Sequence, residues 1–425
     1  MSERAERINV IDLFAGCGGL SEGLMRNEQI NCLAHVEWDI AMVRTLRNRL
    51  VKSQKKTEDQ ALKEVIHFDI QNTSGLLHGS GISDSQKYSK TNHPDFILGG
   101  LEGVVGPQTI DMIVGGPPCQ AYSIAGRAQD PNSMRNDYRN FLFESFAAVV
   151  AFFKPKCFVF ENVPGMLSAA PGGIKVTDRI TEAFEQLGYT IQSNQGMHES
   201  VFNAVDFGVP QARKRVLIFG VKTGEVRFSW QDFISEMNKL RIEPSARKTV
   251  EDTIGGYPKI YPKKSSSGQS NISHVFPEGN PRQLQAHEPR FHNKRDIGIF
   301  RQWVSSGMNS AVLVEKQSFY ENATGKSSGH TKYRNLDWDK PSPTIVAHLK
   351  KDGLMFIHPD PQQARSLTVR EAASLQSFPE DFEFLESKMK SYEMIGNAVP
   401  PLLAESVGRA IVKVLTKCST PLIST

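Results

Sequence analysis

Ile11-Asp12-Leu13-Phe14-Ala15-Gly16-Cys17-Gly18-Gly19 is the stretch on which the fold turns. The apolar, β-branched run from Ile8 to Phe14 predicts a buried strand, and the glycines after it predict a tight turn opening into a helix. Such a turn brings backbone close to a ligand and aims helix N–H groups at an anion. A dinucleotide fingerprint requires a third glycine where Ser21 stands, which disfavours a diphosphate-binding dehydrogenase. A nucleoside cofactor without a diphosphate stays open. Taken alone, the turn equally suits a purely structural strand-to-helix connection.

Outward from this turn, similar short apolar runs recur at Cys32 to Val36, Asp111 to Val114, Cys157 to Phe160 and Arg215 to Val221. Helical segments such as Ala41 to Leu50 and Phe141 to Phe153 lie between them. Strands alternating with helices predict an α/β fold with a mostly parallel sheet covered on both faces. The polar stretch from Ser74 to Gln108 predicts an irregular insertion. From Trp230 to about Asp339 the chain is polar, with scattered His, Arg, Lys, Asn and Trp, and predicts a second, smaller domain containing a flexible tract from Lys263 to Ser270. A helical pattern resumes at Thr368 to Gln376 and again after Pro401.

The 425 residues are enough for two domains, and 39% hydrophobic residues allow a sizeable core. A formal net charge of +4 permits a nucleic-acid partner without requiring one. Five cysteines (Cys17, Cys32, Cys119, Cys157 and Cys418) with no regular spacing argue against a disulfide framework and against a structural zinc site. Unpaired thiols, a polar start and no apolar run of membrane length predict a soluble intracellular protein without a signal peptide. No metal is expected.

Several residues carry candidate chemistry. Glu37 ends the second predicted strand, where an acid suits ribose hydroxyls, and Trp38 beside it suits an adenine ring; a surface acid next to a core indole is the plainer alternative. Asp69, in Phe68-Asp69-Ile70, is by itself more often a cap. The strongest signal is Gly115-Gly116-Pro117-Pro118-Cys119-Gln120, into which an apolar strand runs directly. Two prolines stiffen the chain just before a cysteine, at the sheet edge where α/β enzymes place reactive groups. A buried, inert thiol is the competing reading. Glu161, in Phe160-Glu161-Asn162-Val163-Pro164, would reach the same edge, where a carboxyl group can donate a proton. Arg213 and Arg215, in Gln211-Ala212-Arg213-Lys214-Arg215, point the same way on an extended segment and can hold an oxygen-rich group or form a solvated edge.

In this order, and followed by RSLTVREAASLQSF (Arg365 to Phe378) and Ile395-Gly396-Asn397-Ala398-Val399, the motifs resemble the ordered set of the DNA cytosine-5 methyltransferases. The resemblance spans most of the chain outside 74–108 and the polar region. It implies a Rossmann-like S-adenosylmethionine-dependent methyltransferase sheet over 1–229, a target-recognition domain over 230–339, and a C-terminal segment, 340–425, returning to the catalytic domain. It implies cofactor contacts from Phe14, Gly16, Gly18, Gly19, Glu37, Trp38, Asp69, Ile70, Gly116, Leu142 and Asn397. Glu37 would hold the ribose hydroxyls and Asp69 the adenine amino group. It makes Cys119 the nucleophile and Glu161 the acid, and it places Arg213 and Arg215 near a flipped base. The segment from Cys119 through Arg139 resembles the loop that closes over DNA.

The implied reaction is methyl transfer from S-adenosyl-L-methionine to C5 of cytosine in a specific duplex DNA sequence, through base flipping and a covalent intermediate between Cys119 and C6. A cysteine suits this because attack at C6 makes C5 enamine-like. The implied partner is double-stranded DNA, with both a cognate restriction endonuclease and solitary action left open, and the enzyme a monomer in the bacterial cytoplasm or nucleoid. Arg290, Lys294 and Arg295 are candidate DNA contacts in the polar region. Competing expectations are an RNA substrate and a non-catalytic DNA-binding protein on the same scaffold.

Overall fold

The run Ile8–Leu13 forms β1, and its residues are almost all buried, because strands covered on both faces need apolar side chains at successive positions. The same logic produces β2 (Ile30–Glu37), β4 (Met112–Gly115) and β5 (Cys157–Asn162), the last two buried at every residue. Between them in sequence comes β3 (Val65–His67); after them come β6 (Tyr189–Thr190), β7 (Val201–Asn203), β8 (Gln211–Ala212) and β9 (Lys214–Lys222). The computed structural model describes residues 7–79, 94–118, 142–263, 273–277 and 284–417.

Among the described residues one sheet has eight strands in the order β3-β2-β1-β4-β5-β9-β6, with β7 also pairing β9. Strands β1 to β5 run parallel, while β9 is antiparallel to β5, with Glu161 opposite Leu217. The five parallel strands therefore end on one edge, where such folds gather ligands. Helix Leu142–Phe153 covers one face, its Phe146 ring meeting Phe158 and Phe160 of β5 edge-on at centroid distances of 5.8 and 5.3 Å. That packing fixes the strand that carries Glu161.

The chain divides into two units: residues 1–207, 214–243 and 398–425 in the first, and 208–213 with 244–397 in the second. These bounds differ from those read from sequence, for identifiable reasons. Helix Trp230–Lys239 belongs to the first unit because its Phe233 stacks on Phe219 of β9, with ring centroids 4.4 Å apart. Residues 340–397 belong to the second, where Ser342–Pro343 pairs in parallel with β8. Helix Pro401–Lys417 is in the first unit, where Glu405 takes an ion pair from Arg26 at 3.0 Å.

The expected irregular insertion at 74–108 is a difference of kind. Its described residues include helices Thr73–His78 and Pro94–Val105, and Leu76, Leu77, Leu101 and Val105 join the main core. The glycines at 99, 100 and 103 masked the apolar spacing; Gly100 has φ +56° and kinks the second helix. The tract at 264–272 lies outside the described residues.

The second unit is built around Ile299, Phe300, Trp303, Tyr333, Ile357 and Ala364. Beside this cluster, Arg365 and Glu371 form a fully buried ion pair at 2.7 Å. Thr368 caps helix Val369–Leu375 and exchanges hydrogen bonds with Glu371, so one carboxylate serves both the helix start and the buried guanidinium.

Candidate active site

Past Leu13 the backbone turns through left-handed conformations at Phe14 (φ +59°), Gly16 (+59°) and Gly18 (+93°), before helix Gly19–Leu24. Gly18 has a φ that strains any L side chain, and a Cβ there would also have to displace the tip of Leu46, whose Cδ1 would lie 2.5 Å away. Glu37, at the end of β2, anchors the turn. Its Oε2 accepts from the Gly16 N–H at 2.8 Å and its Oε1 from the Asp39 N–H at 2.7 Å. Burial pushes the Glu37 carboxyl up from its ordinary value, partly offset by these N–H bonds.

Trp38 follows with its side chain 55% exposed, an unusual position for an indole. His67 Nε2 lies 2.8 Å from the Trp38 carbonyl, tying the β2 end to the β3 end. Asp69 Oδ1 accepts from the Gln71 N–H at 3.0 Å, while Ile70 is buried in the main core. Leu142 opens its helix with its side chain in the same core.

The end of β4 meets the end of β5 at Gly116. A Cβ on Gly116 would stand 2.6 Å from Glu161 Oε2, so only glycine leaves that carboxylate in place. Asn162 Nδ2 donates to the Pro117 carbonyl at 3.4 Å and fixes the base of the proline segment. The sequence alone assigns Asn162 no role; its place next to Glu161 at a strand end is the available signal. Cys119 and the segment to Arg139 lie outside the described residues.

Glu161 is closely paired. Arg215 Nε lies 2.6 Å from its Oε1, and both side chains are only 11% exposed. Arg215 Nη1 donates to the Lys214 carbonyl at 2.8 Å. Arg213 behaves differently from the expectation of a shared anion site. It is buried, and its Nη1 and Nη2 donate to the backbone carbonyls of Ile345 and Gly396 at 2.8 and 2.9 Å. In the second unit Asn397, exposed, ends helix Lys388–Asn397.

The candidate DNA contacts also separate. Arg290 donates to the Leu349 carbonyl at 2.7 Å and lies over the Tyr392 ring at 4.6 Å. Arg295 pairs with Asp296 at 3.1 Å. Both line a cleft of about 300 Å³ in the second unit that also receives Lys326 and Lys351, while Lys294 is the exposed first residue of its helix. Among the described residues no group of three or more His, Cys, Asp or Glu is arranged for a metal, and no helix is long and apolar enough to cross a membrane.

An α/β sheet of this order, with an acid-lined glycine turn and a paired carboxylate at its parallel-strand edge, defines a Rossmann-like methyltransferase architecture. The family model for C-5 cytosine-specific DNA methylases matches residues 8–80 and 86–413, and the chain belongs to that family, as a DNA (cytosine-5) methyltransferase. Type II methyltransferase M.Bpa9945I of Bacillus paralicheniformis is 33% identical over 451 residues, covering 96% of this chain and 99% of the relative. Type II methyltransferase M1.HphI of Haemophilus parahaemolyticus is 31% identical over 422 residues, covering 96% and 88%. The fold is shared with S. pombe Dnmt2 methyltransferase, at a TM-score of 0.53 and 15% identity over 97% of this chain and all of that one.

Proposed function

We propose that this enzyme transfers the methyl group of S-adenosyl-L-methionine to C5 of cytosine in a specific duplex DNA sequence, with the base flipped out and Cys119 bound covalently to C6. The observation that carries this reading is the Arg215–Glu161 pair, held beside Gly116 at the end of the strand that runs into Cys119. The described cysteines give no rival nucleophile. Cys17, Cys32 and Cys157 are buried, and burial pushes each thiol up, Cys17 to about 12.

The turn fits a nucleoside. Glu37 presents a carboxylate to ribose hydroxyls, Trp38 offers an exposed indole face for adenine, and Asp69 stands at the next strand end. Phe14, Gly16, Gly18, Gly19, Ile70, Gly116 and Leu142 complete the proposed contacts from the first unit. S-adenosyl-L-methionine supplies a methyl group already activated as a sulfonium.

The chain's own residues do the rest. The Cys119 thiolate attacks C6, and the ring electrons move to make C5 nucleophilic. Glu161 holds a proton at N3 and offsets the charge that develops there, while Arg215 holds O2. C5 gains the methyl group and the cofactor leaves as its thioether; C5 then gives its proton to water, the C6–Sγ bond breaks, N3 returns its proton to Glu161, and thiolate and aromatic ring are both restored. Flipping is required because C5 and C6 are out of reach inside a duplex. The second unit is the target-recognition part, and its cationic cleft takes the DNA backbone. A monomer in the bacterial cytoplasm or nucleoid, paired with a restriction endonuclease of the same specificity, completes the reading.

The test is expression of the wild type and Cys119→Ala in cells lacking cytosine methylation, with 5-methylcytosine mapped at base resolution. Methylation at one short sequence by the wild type alone is expected. Equal methylation by both would remove Cys119 from the mechanism, and none by either would point to an RNA substrate, a missing partner or a non-catalytic role.

A further inference from the structure

We propose that Phe291 is a base-contacting residue, whose ring stacks on a nucleobase at an opened step of the bound duplex while the cations beside it take the flanking phosphates. The inference rests on the reading of the second unit as the DNA-binding part, and every group it uses lies in that unit. Phe291 is 56% exposed, although phenylalanine is among the residues most often buried. A lone exposed ring is ordinary and carries nothing by itself. This ring, however, lines the cleft of about 300 Å³, where Arg290, Arg295, Lys326 and Lys351 face only two carboxylates, Asp296 and Asp352. Asp296 is paired with Arg295 at 3.1 Å, and Lys326 and Lys351 are exposed. An apolar face among surplus cations matches a partner that alternates flat rings with anions along a chain, which is the pattern of nucleic acid.

Both chain neighbours of Phe291 are anchored. On one side, Arg290 Nη2 donates to the Leu349 carbonyl at 2.7 Å, and its guanidinium lies over the Tyr392 ring at 4.6 Å. On the other, His292 is buried; its N–H donates to Ser273 Oγ at 3.1 Å, and its Nε2 accepts from the Ser366 N–H at 3.2 Å. The ring is therefore presented from a fixed backbone, and little chain has to be ordered when it meets a base. Phenylalanine has no donor or acceptor, so its contact is with the flat face of a base and not with its hydrogen-bonding edge. Apolar wedges of this kind enter base steps and hold them partly unstacked. Phe291 thus adds affinity and holds the step open, and the reading of sequence falls to polar groups elsewhere.

Stacking and charge leave different signatures in DNA binding. Loss of a stacked ring weakens binding at every salt concentration and leaves the slope of log K against log salt unchanged, whereas loss of a phosphate contact lowers that slope by about 1. The full-length enzyme is titrated onto a fluorescently labelled duplex carrying its methylated sequence, over a series of salt concentrations, as wild type, Phe291→Ala, Phe291→Trp and Lys326→Ala. Phe291→Ala is expected to bind about 10-fold more weakly with the wild-type slope, as for the loss of one base–aromatic stack. Phe291→Trp should bind within about threefold of wild type, because any aromatic face can stack. Melting temperatures should match, since the ring is exposed. Equal affinity of Phe291→Ala and wild type overturns the proposal. So does a slope lowered as in Lys326→Ala, or an equal loss in the Ala and Trp variants, which leaves Phe291 a plain structural residue. If Phe291→Ala does not fold, Phe291→Gln carries the same comparison with the same outcomes. All of these leave the DNA-binding reading standing; if the wild type itself does not bind the duplex, that reading fails and the proposal falls with it.

Discussion

A methyl group added to Gly116 would stand 2.6 Å from Oε2 of Glu161, a carboxylate whose other oxygen is already 2.6 Å from Arg215 Nε. Glu161 is thus bounded on both sides and has one place to be. Gly116→Ala must push the carboxylate away or displace the β4 end. Methyl transfer should fall about 100-fold through misplacement alone. Melting temperature should change little, since Gly116 is outside the core. A rate within threefold of wild type would mean that the placement of Glu161 is not limiting.

Glu161→Gln keeps the shape of this side chain and removes its proton chemistry. Loss of a positioned proton donor typically costs 10²- to 10⁴-fold, and a loss in about that range is expected in single-turnover transfer. The cofactor Kd should stay within twofold. Turnover near the wild-type rate would leave Glu161 only as the partner of Arg215.

Glu37 spans the glycine turn and the start of the next helix by accepting from Gly16 N and Asp39 N. Glu37→Ala removes both bonds, each worth about 0.5–1.5 kcal/mol, along with the proposed contacts to ribose. Cofactor Kd should rise at least about tenfold, read by calorimetric titration, and melting temperature should drop. Glu37→Gln keeps one acceptor and should fall between. An unchanged Kd in Glu37→Ala would remove it from the cofactor site.

The strand ends were legible because their signals are local. Apolar runs covered on both faces stand out, and β1, β2, β4, β5 and β9 formed within a few residues of expectation, as did the glycine turn. The helix at Pro94–Val105 was not legible, because three glycines interrupt its apolar spacing. The role of Arg213 was not legible either. Sequence shows that two arginines share a face, but only folding reveals that carbonyls 132 and 183 residues away accept from the first. The grouping of 340–397 with 208–213 was not legible for the same reason: Ser342–Pro343 pairs with β8 across more than a hundred residues.

The cleft lined by Arg290, Arg295, Lys326 and Lys351 offers cations that differ in their commitments. Arg290 is tied to Leu349 and Tyr392, so its loss should mainly destabilise the second unit. Lys326 and Lys351 are exposed, and lysine is suited to phosphate. Replacing either by Ala should weaken DNA binding for all sequences alike and lower the slope of log K against log salt by about 1. An unchanged salt slope in the double variant would place the DNA elsewhere.

Buried histidines in the second unit set a pH dependence whose sign can be worked out. Burial pulls His358 and His292 down to about 3 from an ordinary value of 6.5. Between those limits the unfolded chain binds protons that the folded chain does not, so stability rises with pH across the window and is lost as pH falls below about 6.5. Each such histidine contributes a slope of up to about 1.4 kcal/mol per pH unit. Glu371 is held below the usual carboxylate range, against its burial, by the Arg365 guanidinium. Its contribution is present above about 4.5 and is lost only below that, so between about 4.5 and 6.5 the difference between wild type and a histidine variant reads that histidine and not Glu371. His358 Nδ1 accepts from the Asp360 N–H at 3.1 Å, and its Nε2 lies 3.6 Å from Glu371 Oε1; glutamine can replace the first contact without titrating. Denaturant unfolding of His358→Gln should therefore show a shallower stability slope between pH 4.5 and 6.5 than wild type, by about one histidine's worth. Parallel slopes in the two proteins would mean that His358 takes up a proton while the unit stays folded.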